Sequence, residues 1–248
     1  MRDLALRCAA LGAVLGAAAC GETFDAAADD CVAMRFSGEQ VIEVPDSPDF
    51  DVAAPLTIEL RMNLDVADGE MHLLSHHDYP ESGYQLGVQG QNVDFRLYNV
   101  EGRWLGRGSV TPGRWHHLAA QWDDGAYWIY LDGSLVADGD VEWWPADYAG
   151  PLRIGGASYA ESFFFQGLVD EVRISRGLRY SNEFDVTADP LTADGNTIAL
   201  WSFGDDEGQV VKDTTGKHDG VLGTSTATRP DDPVHEGDHC LESIMPEL

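Results

Sequence analysis

Between Gly113 and Gly139 the chain reads GRWHHLAAQWDDGAYWIYLDGSLVADG, and its apolar positions recur at every second residue. Leu118, Ala120 and Trp122 alternate with more polar neighbours, Asp123-Asp124-Gly125 interrupts the pattern, and Tyr127, Ile129 and Leu131 resume it up to Asp132-Gly133. A period of two sends successive side chains to opposite faces of an extended chain, so both runs are predicted strands. Asp-Gly tolerates the positive φ of a tight hairpin, which makes neighbouring runs antiparallel. The same period marks residues 56–64, where Leu56, Ile58, Leu60, Met62 and Leu64 alternate with Thr57, Glu59, Arg61 and Asn63. One face of that strand is predicted buried and the other wet. Further strands are predicted at 32–36, 40–44, 71–75, 84–88, 92–98, 114–122, 126–131, 135–137, 152–154, 163–175 and 197–203. No stretch carries the period of an amphipathic helix. Short strands punctuated by Gly, Pro, Asp and Asn predict an all-β, two-sheet antiparallel sandwich in one domain, with no internal repeat.

The N-terminus stands apart from that domain. Met1-Arg2 and Arg7 precede an apolar, small-residue run from Cys8 to Ala19, which reads as an export signal over residues 1–19. It falls short of the roughly 20 apolar residues that a membrane span needs. Gly16-Ala17-Ala18-Ala19-Cys20 resembles the lipobox of bacterial lipoproteins. The resemblance implies that Cys20 is lipidated after cleavage and anchors an exported, cell-envelope protein to a membrane. Ala17 stands where the pattern has Leu, and the other reading is an ordinary secretory signal cut after Ala19 or a little beyond, leaving Cys20 free. Residues 20–30 read as a tether, 31–223 as the folded domain, and 224–248, with three prolines and several acids, as an irregular tail held through Cys240. Cys31 and Cys240 flank the domain in an oxidising compartment, which predicts a disulfide between them; two free or intermolecular thiols are the alternative.

The formal charge is −28, from 43 acidic and 15 basic residues. Backbone binding to nucleic acid needs clustered Lys and Arg, so nucleic acid is not an expected partner. Such acidity implies a solvated, self-repelling surface.

Three segments together resemble the laminin-G-like, concanavalin-A-like jelly-roll domains of secreted bacterial proteins. The first is Met34-Arg-Phe-Ser-Gly-Glu-Gln-Val-Ile-Glu-Val-Pro-Asp-Ser followed by TIELRMNL. The second runs from Trp115-His-His-Leu-Ala to Tyr130-Leu-Asp-Gly. The third is Phe165-Gln-Gly-Leu-Val-Asp-Glu-Val-Arg-Ile-Ser, then Ala199-Leu-Trp-Ser-Phe, Asp205-Asp-Glu-Gly, Asp213-Thr-Thr-Gly and His218-Asp-Gly. The resemblance covers residues 31 to 223 and implies two curved antiparallel sheets, often with calcium at the rim as a structural ion. Asp170 is then the expected metal ligand. Strict alternation sets it on one face with Leu168, Val172 and Ile174, where a carboxylate needs a cation or several hydrogen bonds. Backbone oxygens around Phe36–Gly38 would complete a calcium shell. However, Phe36-Ser37-Gly38 stands where the family has Phe-Asp-Gly, which removes one carboxylate. A structural Asp170 bonded to backbone amides or an Arg is the competing reading.

Catalytic signatures are absent: the chain carries no G-x-S-x-G, H-E-x-x-H or P-loop. Glucanases of this fold set paired carboxylates about 5–5.5 Å apart, whereas adjacent Asp170 and Glu171 are expected on opposite faces. His76-His77 and His116-His117 should likewise diverge, and packing or hydrogen-bonding roles are expected for them. Binding is the remaining function class. Trp143, Trp144 and Tyr148, in DGDVEWWPADYAG, have the aromatic-plus-acid composition that stacks on a sugar face and bonds its hydroxyls; the same rings could instead cap the core. His77, Asp78, Tyr79, Tyr84 and Gln85 make a second candidate cluster. The expected function is non-catalytic binding of carbohydrate or protein. A glycoside-acting enzyme and a purely structural envelope protein are the alternatives.

Overall fold

The computed structural model describes residues 32–51, 55–98, 103–123, 125–141, 145–204, 208–225, 227–230 and 232–237. In chain order the strands are β1 (Ala33–Ser37), β2 (Ile42–Val44), β3 (Leu56–Leu64), β4 (Glu70–Asp78), β5 (Ser82–Gln89), β6 (Asn92–Leu97), β7 (Arg103–Trp104) and β8 (Trp115–Asp123). They continue with β9 (Ala126–Leu131), β10 (Ser134–Asp140), β11 (Leu152–Ile154), β12 (Gln166–Arg176), β13 (Thr197–Trp201), β14 (Val210–Val211), β15 (Gly220–Leu222) and β16 (Val234–Glu236). The first sheet runs β10-β9-β8-β3-β12-β1-β16, with β13 also paired to β12; the second runs β14-β15-β2-β11-β4-β5-β6-β7. The two sheets pack face to face, as the strand count and turn spacing predict. Trp122 of β8 meets Tyr84 of β5 and Phe95 of β6 across the core, with ring centroids 5.2 Å and 5.6 Å apart.

Asp132 and Gly133 join β9 to β10 with φ of 51° and 78°, and Leu131 pairs with Ser134. That is the predicted two-residue turn, and the Asp132 carboxylate adds to it by meeting His116 Nδ1 at 2.8 Å and accepting from His117 N. The Asp213-Thr-Thr-Gly motif is also structural. Its carboxylate accepts from the backbone N–H groups of Leu200, Thr215, Lys217 and His218, which ties the β14 region onto β13.

Three expectations need correction. The tail is not wholly irregular, because Val234–Glu236 pairs antiparallel with β1; a three-residue edge strand is too short to show a period. Phe163 lies before β12, which begins at Gln166. The polar face of β3 is not wet: Thr57, Glu59 and Arg61 are buried because residues 177–196 lie across it. Arg61 Nη2 donates to the carbonyls of Thr187 and Asp189, and Gln121 Nε2 to that of Tyr180.

Cys20, Cys31 and Cys240 lie outside the described residues. Ala33 pairs with Glu236, so the first and last described strands adjoin; the Cys31–Cys240 bridge itself is proposed from the sequence. Intact-mass measurement after alkylation should show these two thiols blocked without reductant and labelled with it. Labelling of both without reductant would remove the bridge.

Candidate functional site

The outward face of the second sheet is built by alternation on β5 and β6 and, across a register shift between His72 and Leu74, on β4. Val93, Phe95 and Leu97 point into the core, so Asp94 and Arg96 point out; Leu86 and Val88 point in, so Gln85 and Gly87 point out. Register then sets three rows. His72, Gly87 and Asp94 form one; Arg153 of β11, Ser75, Gln85 and Arg96 form the next; His77 and Gly83 form the third. Tyr98 follows β6 and donates to Gly83 O from its backbone. Its hydroxyl donates to Gln85 Oε1 at 2.6 Å, and Gln85 Nε2 donates to Asp94 Oδ2 at 3.0 Å. Gly83 and Gly87 are required here, since a Cβ on either would strike the β4 backbone near 2 Å.

A loop after β11 forms one wall of this floor. Ser75 Oγ donates to Gly156 O, His77 N to Ser158 Oγ, and His72 N to Phe163 O. These bonds hold Tyr159 edge-on to His77, with centroids 4.9 Å apart, and stack Phe163 on His72 at 4.9 Å and 16°. His77 in turn stacks on Tyr98 at 4.4 Å and 5°. Tyr79, at the β4 end, closes the group against Tyr98 and Tyr159. Tyr79 is 57% exposed and Phe163 36%, so two rings of this group reach solvent.

Electrostatics fix that floor. Arg96 contacts Asp94 through Nε (3.0 Å) and Nη2 (2.7 Å), and Glu70 through Nη2 (3.0 Å). Burial raises the Asp94 carboxyl to about 6, assisted by the Glu70 charge and opposed by Arg96 and Gln85. Burial also pushes Glu70 upward, but His72 and Arg96 outweigh it and leave Glu70 below its ordinary value. His77 is driven down to about 2, first by burial, with the Arg96 charge acting in the same direction. Burial likewise lowers His72. Both imidazoles are therefore neutral packing groups at physiological pH.

The second sequence cluster is split by the sheet. His77, Asp78, Tyr79 and Gln85 belong to this region on a strand hairpin rather than a loop, whereas Tyr84 points into the core with no exposed surface. Trp143 and Trp144 lie outside the described residues. Tyr148 is half-buried against His76 (5.1 Å), its ring lying over Gly150, where a Cβ would come within 2.3 Å of it. Sequence reasoning missed Glu70, Asp94, Arg96, Tyr98, Tyr159 and Phe163. The outward pair Asp94 and Arg96 was readable from VDFRLY, but the loop aromatics depend on tertiary docking. His116 and His117 take the expected hydrogen-bonding roles, His117 Nε2 lying 3.2 Å from Glu59.

Asp170 is on the other sheet and in a different setting from the one expected. Register pairs Asp170 with Arg61 and Arg173 with Glu59, so two residues of β12 oppose the single Leu60. Glu171, at φ 50°, takes up the extra position, and this bulge reverses the alternation. Asp170 shares the outward face with Leu168 but not with Val172 and Ile174, which enter the core. Glu171 does not face away from it: Glu171 Oε2 is 2.7 Å from Arg61 Nη1, and Arg61 is the cation beside both carboxylates. Phe36 pairs with Gly167, three residues along the strand and about 10 Å from Asp170. Phe36–Gly38 is thus offset along the sheet from Asp170, and among the described residues there is no group of three or more His, Cys, Asp or Glu side chains that could hold a metal ion. Burial, then the Glu171 charge, raises Asp170 to about 8.

A cleft of about 640 Å³ on the first sheet is lined by Asp132, Gly133, Ser134 and residues 183–186 and 188. Its one aromatic, Phe184, is partly buried and stacked on Tyr180 at 3.8 Å. No helix among the described residues is long and apolar enough to cross a membrane.

Among solved structures the chain is similar to a Bacteroides ovatus protein inferred to bind carbohydrate, with TM-score 0.61 and 19% identity over 84% of this chain and 60% of that one. It therefore spans less than two thirds of that protein. It is also similar to the CBM40 domain of a Ruminococcus gnavus IT-sialidase, with TM-score 0.50 and 16% identity over 61% of this chain and 95% of that one. Mouse laminin alpha1 chain domains LG4-5 give TM-score 0.50 and 20% identity, over 63% of this chain and 44% of that one. No curated protein matches in sequence. A family model covers residues 36–183, more than half of the chain, and the protein belongs to that family, Laminin_G_3 of the concanavalin A-like lectin/glucanases superfamily.

Proposed function

We propose that this domain binds carbohydrate without transforming it, on the outward face of the second sheet between Tyr79, Tyr159 and Phe163. The observation that carries this reading is the pair of partly exposed rings, Phe163 stacked on His72 and Tyr79 packed on Tyr98 and Tyr159, with His72 bonded to Glu70 and Tyr98 bonded through Gln85 to Asp94. A pyranose presents C–H groups to an aromatic ring and hydroxyls to polar groups, and this surface offers both. Phe163 holds φ 55°, an outlier for a bulky residue that persists only where surroundings enforce it, as at ligand sites. The names of two similar structures, a carbohydrate binder and a carbohydrate-binding module, agree with this reading. Glu70 and Asp94 are both committed to Arg96, which favours binding over general acid–base work. From the signal-like residues 1–19 and Cys20 we further propose that the domain is held at the cell envelope by a lipid anchor.

Tyr79→Ala with Phe163→Ala should weaken retention on a bound polysaccharide in affinity electrophoresis by about 30-fold or more, at roughly 1 kcal/mol per stacked ring. The thermal midpoint should stay nearly unchanged, since both rings are partly exposed. Retained binding in that variant, with loss in Trp143→Ala Trp144→Ala, would move the site to the 138–150 loop.

A further inference from the structure

We infer that the ligand of this surface is an electrically neutral glycan, and that sugars bearing carboxylate or sulfate are excluded; this rests on the carbohydrate-binding reading above. Recognition of an acidic sugar needs a cation with a free donor fork, most effectively an Arg. Two guanidiniums described on this face, Arg96 and Arg153, are both ion-paired. Arg96 spends Nε and Nη2 on Asp94 and Glu70. Arg153 directs Nε and Nη2 to Glu43, and Nη1 to Glu161 and the Ala157 carbonyl.

Neither His72 nor His77 can supply the missing charge. Both are buried, and His72 already meets Glu70 at 3.0 Å. Four carboxylates, Glu43, Glu70, Asp94 and Glu161, thus face two guanidiniums. A ligand carboxylate would have to compete with Glu70 or Asp94 for Arg96 and break an ion pair, whereas a hydroxyl can join the network as donor or acceptor without breaking one. The net charge of −28 acts in the same direction over longer range, but salt screens it beyond roughly 8 Å at physiological ionic strength.

The test is affinity electrophoresis and calorimetry of the full chain against neutral polysaccharides (arabinan, xylan, β-glucan) and acidic ones (polygalacturonate, alginate, heparin), each at low salt and at physiological salt. At least one neutral polymer should bind and the acidic ones should bind at least 10-fold more weakly in both salts. Glu70→Gln, which releases one partner of Arg96, should narrow that gap by about 5-fold or more. Acidic polymers binding the wild type as tightly as neutral ones, with loss in Tyr79→Ala Phe163→Ala, would overturn the neutral specificity and leave the carbohydrate site standing. Exclusion that vanishes at physiological salt would also overturn it, since long-range repulsion alone would then be at work. Binding to neither class would overturn the carbohydrate site itself, and the specificity with it.

Discussion

Glu59→Ala should lower the free energy of unfolding by about 3–5 kcal/mol, the range for removing one partner from a buried ionic network. Glu59 has no exposed surface. Its Oε1 accepts from Arg173 Nε at 2.9 Å, and its Oε2 accepts from Tyr180 OH at 2.5 Å and lies 3.2 Å from His117 Nε2. Through Tyr180 it holds down the segment 177–196, so its loss leaves Arg173 buried without a counter-charge and frees the cover. A domain of this size would lose on the order of 10 °C of thermal midpoint. Urea titration measures the change, and a loss below about 1 kcal/mol would mean that the network adds little.

The pH dependence of the same residue has a definite sign. Burial would raise the Glu59 carboxyl, but His117, Arg173 and Tyr180 outweigh it and hold it at about 2, against 4.5 unperturbed. A depressed acid contributes stability that is present above its unfolded value and lost as pH falls toward the folded one. Wild-type stability should therefore drop between about pH 5 and pH 2, and Glu59→Gln should flatten that limb.

Asp170→Asn is expected to act in the opposite direction and stabilise the protein at alkaline pH. With its carboxyl at about 8 against 3.8 unperturbed, the folded state keeps a proton that the unfolded chain has released. Asp170 thus costs stability increasingly as pH rises through that window, up to about 5 kcal/mol at its upper end. The variant should gain in thermal midpoint more at pH 8 than at pH 5. Millimolar EDTA or calcium should leave the wild-type midpoint unchanged, because Arg61 already stands beside both carboxylates. A calcium-dependent rise that Asp170→Asn abolishes would place the ion there instead.

Asp170 also shows where reading the chain reached its limit. Alternation located strand β12, but a bulge adds one residue without any compositional mark, and from Glu171 onward every face assignment inverts. The cover over Thr57, Glu59 and Arg61 was similarly hidden. A polar outward row reads the same whether water or a returning segment meets it, and 177–196 has no period of its own. At the candidate site, Asp94, Arg96 and Gln85 were assignable to one outward face, whereas Phe163 and Tyr159 arrive from a loop docked by Ser75, His72 and His77.

What the sequence by itself determined is the all-β class, the antiparallel pairing around Asp132-Gly133 and the position of most strands, because side-chain period and turn φ are local properties of the chain. Tertiary structure alone decided which polar face is covered, which carboxylates share a cation, and which rings remain open to a ligand. Those outcomes depend on register and docking between residues far apart in sequence, and no local pattern encodes them.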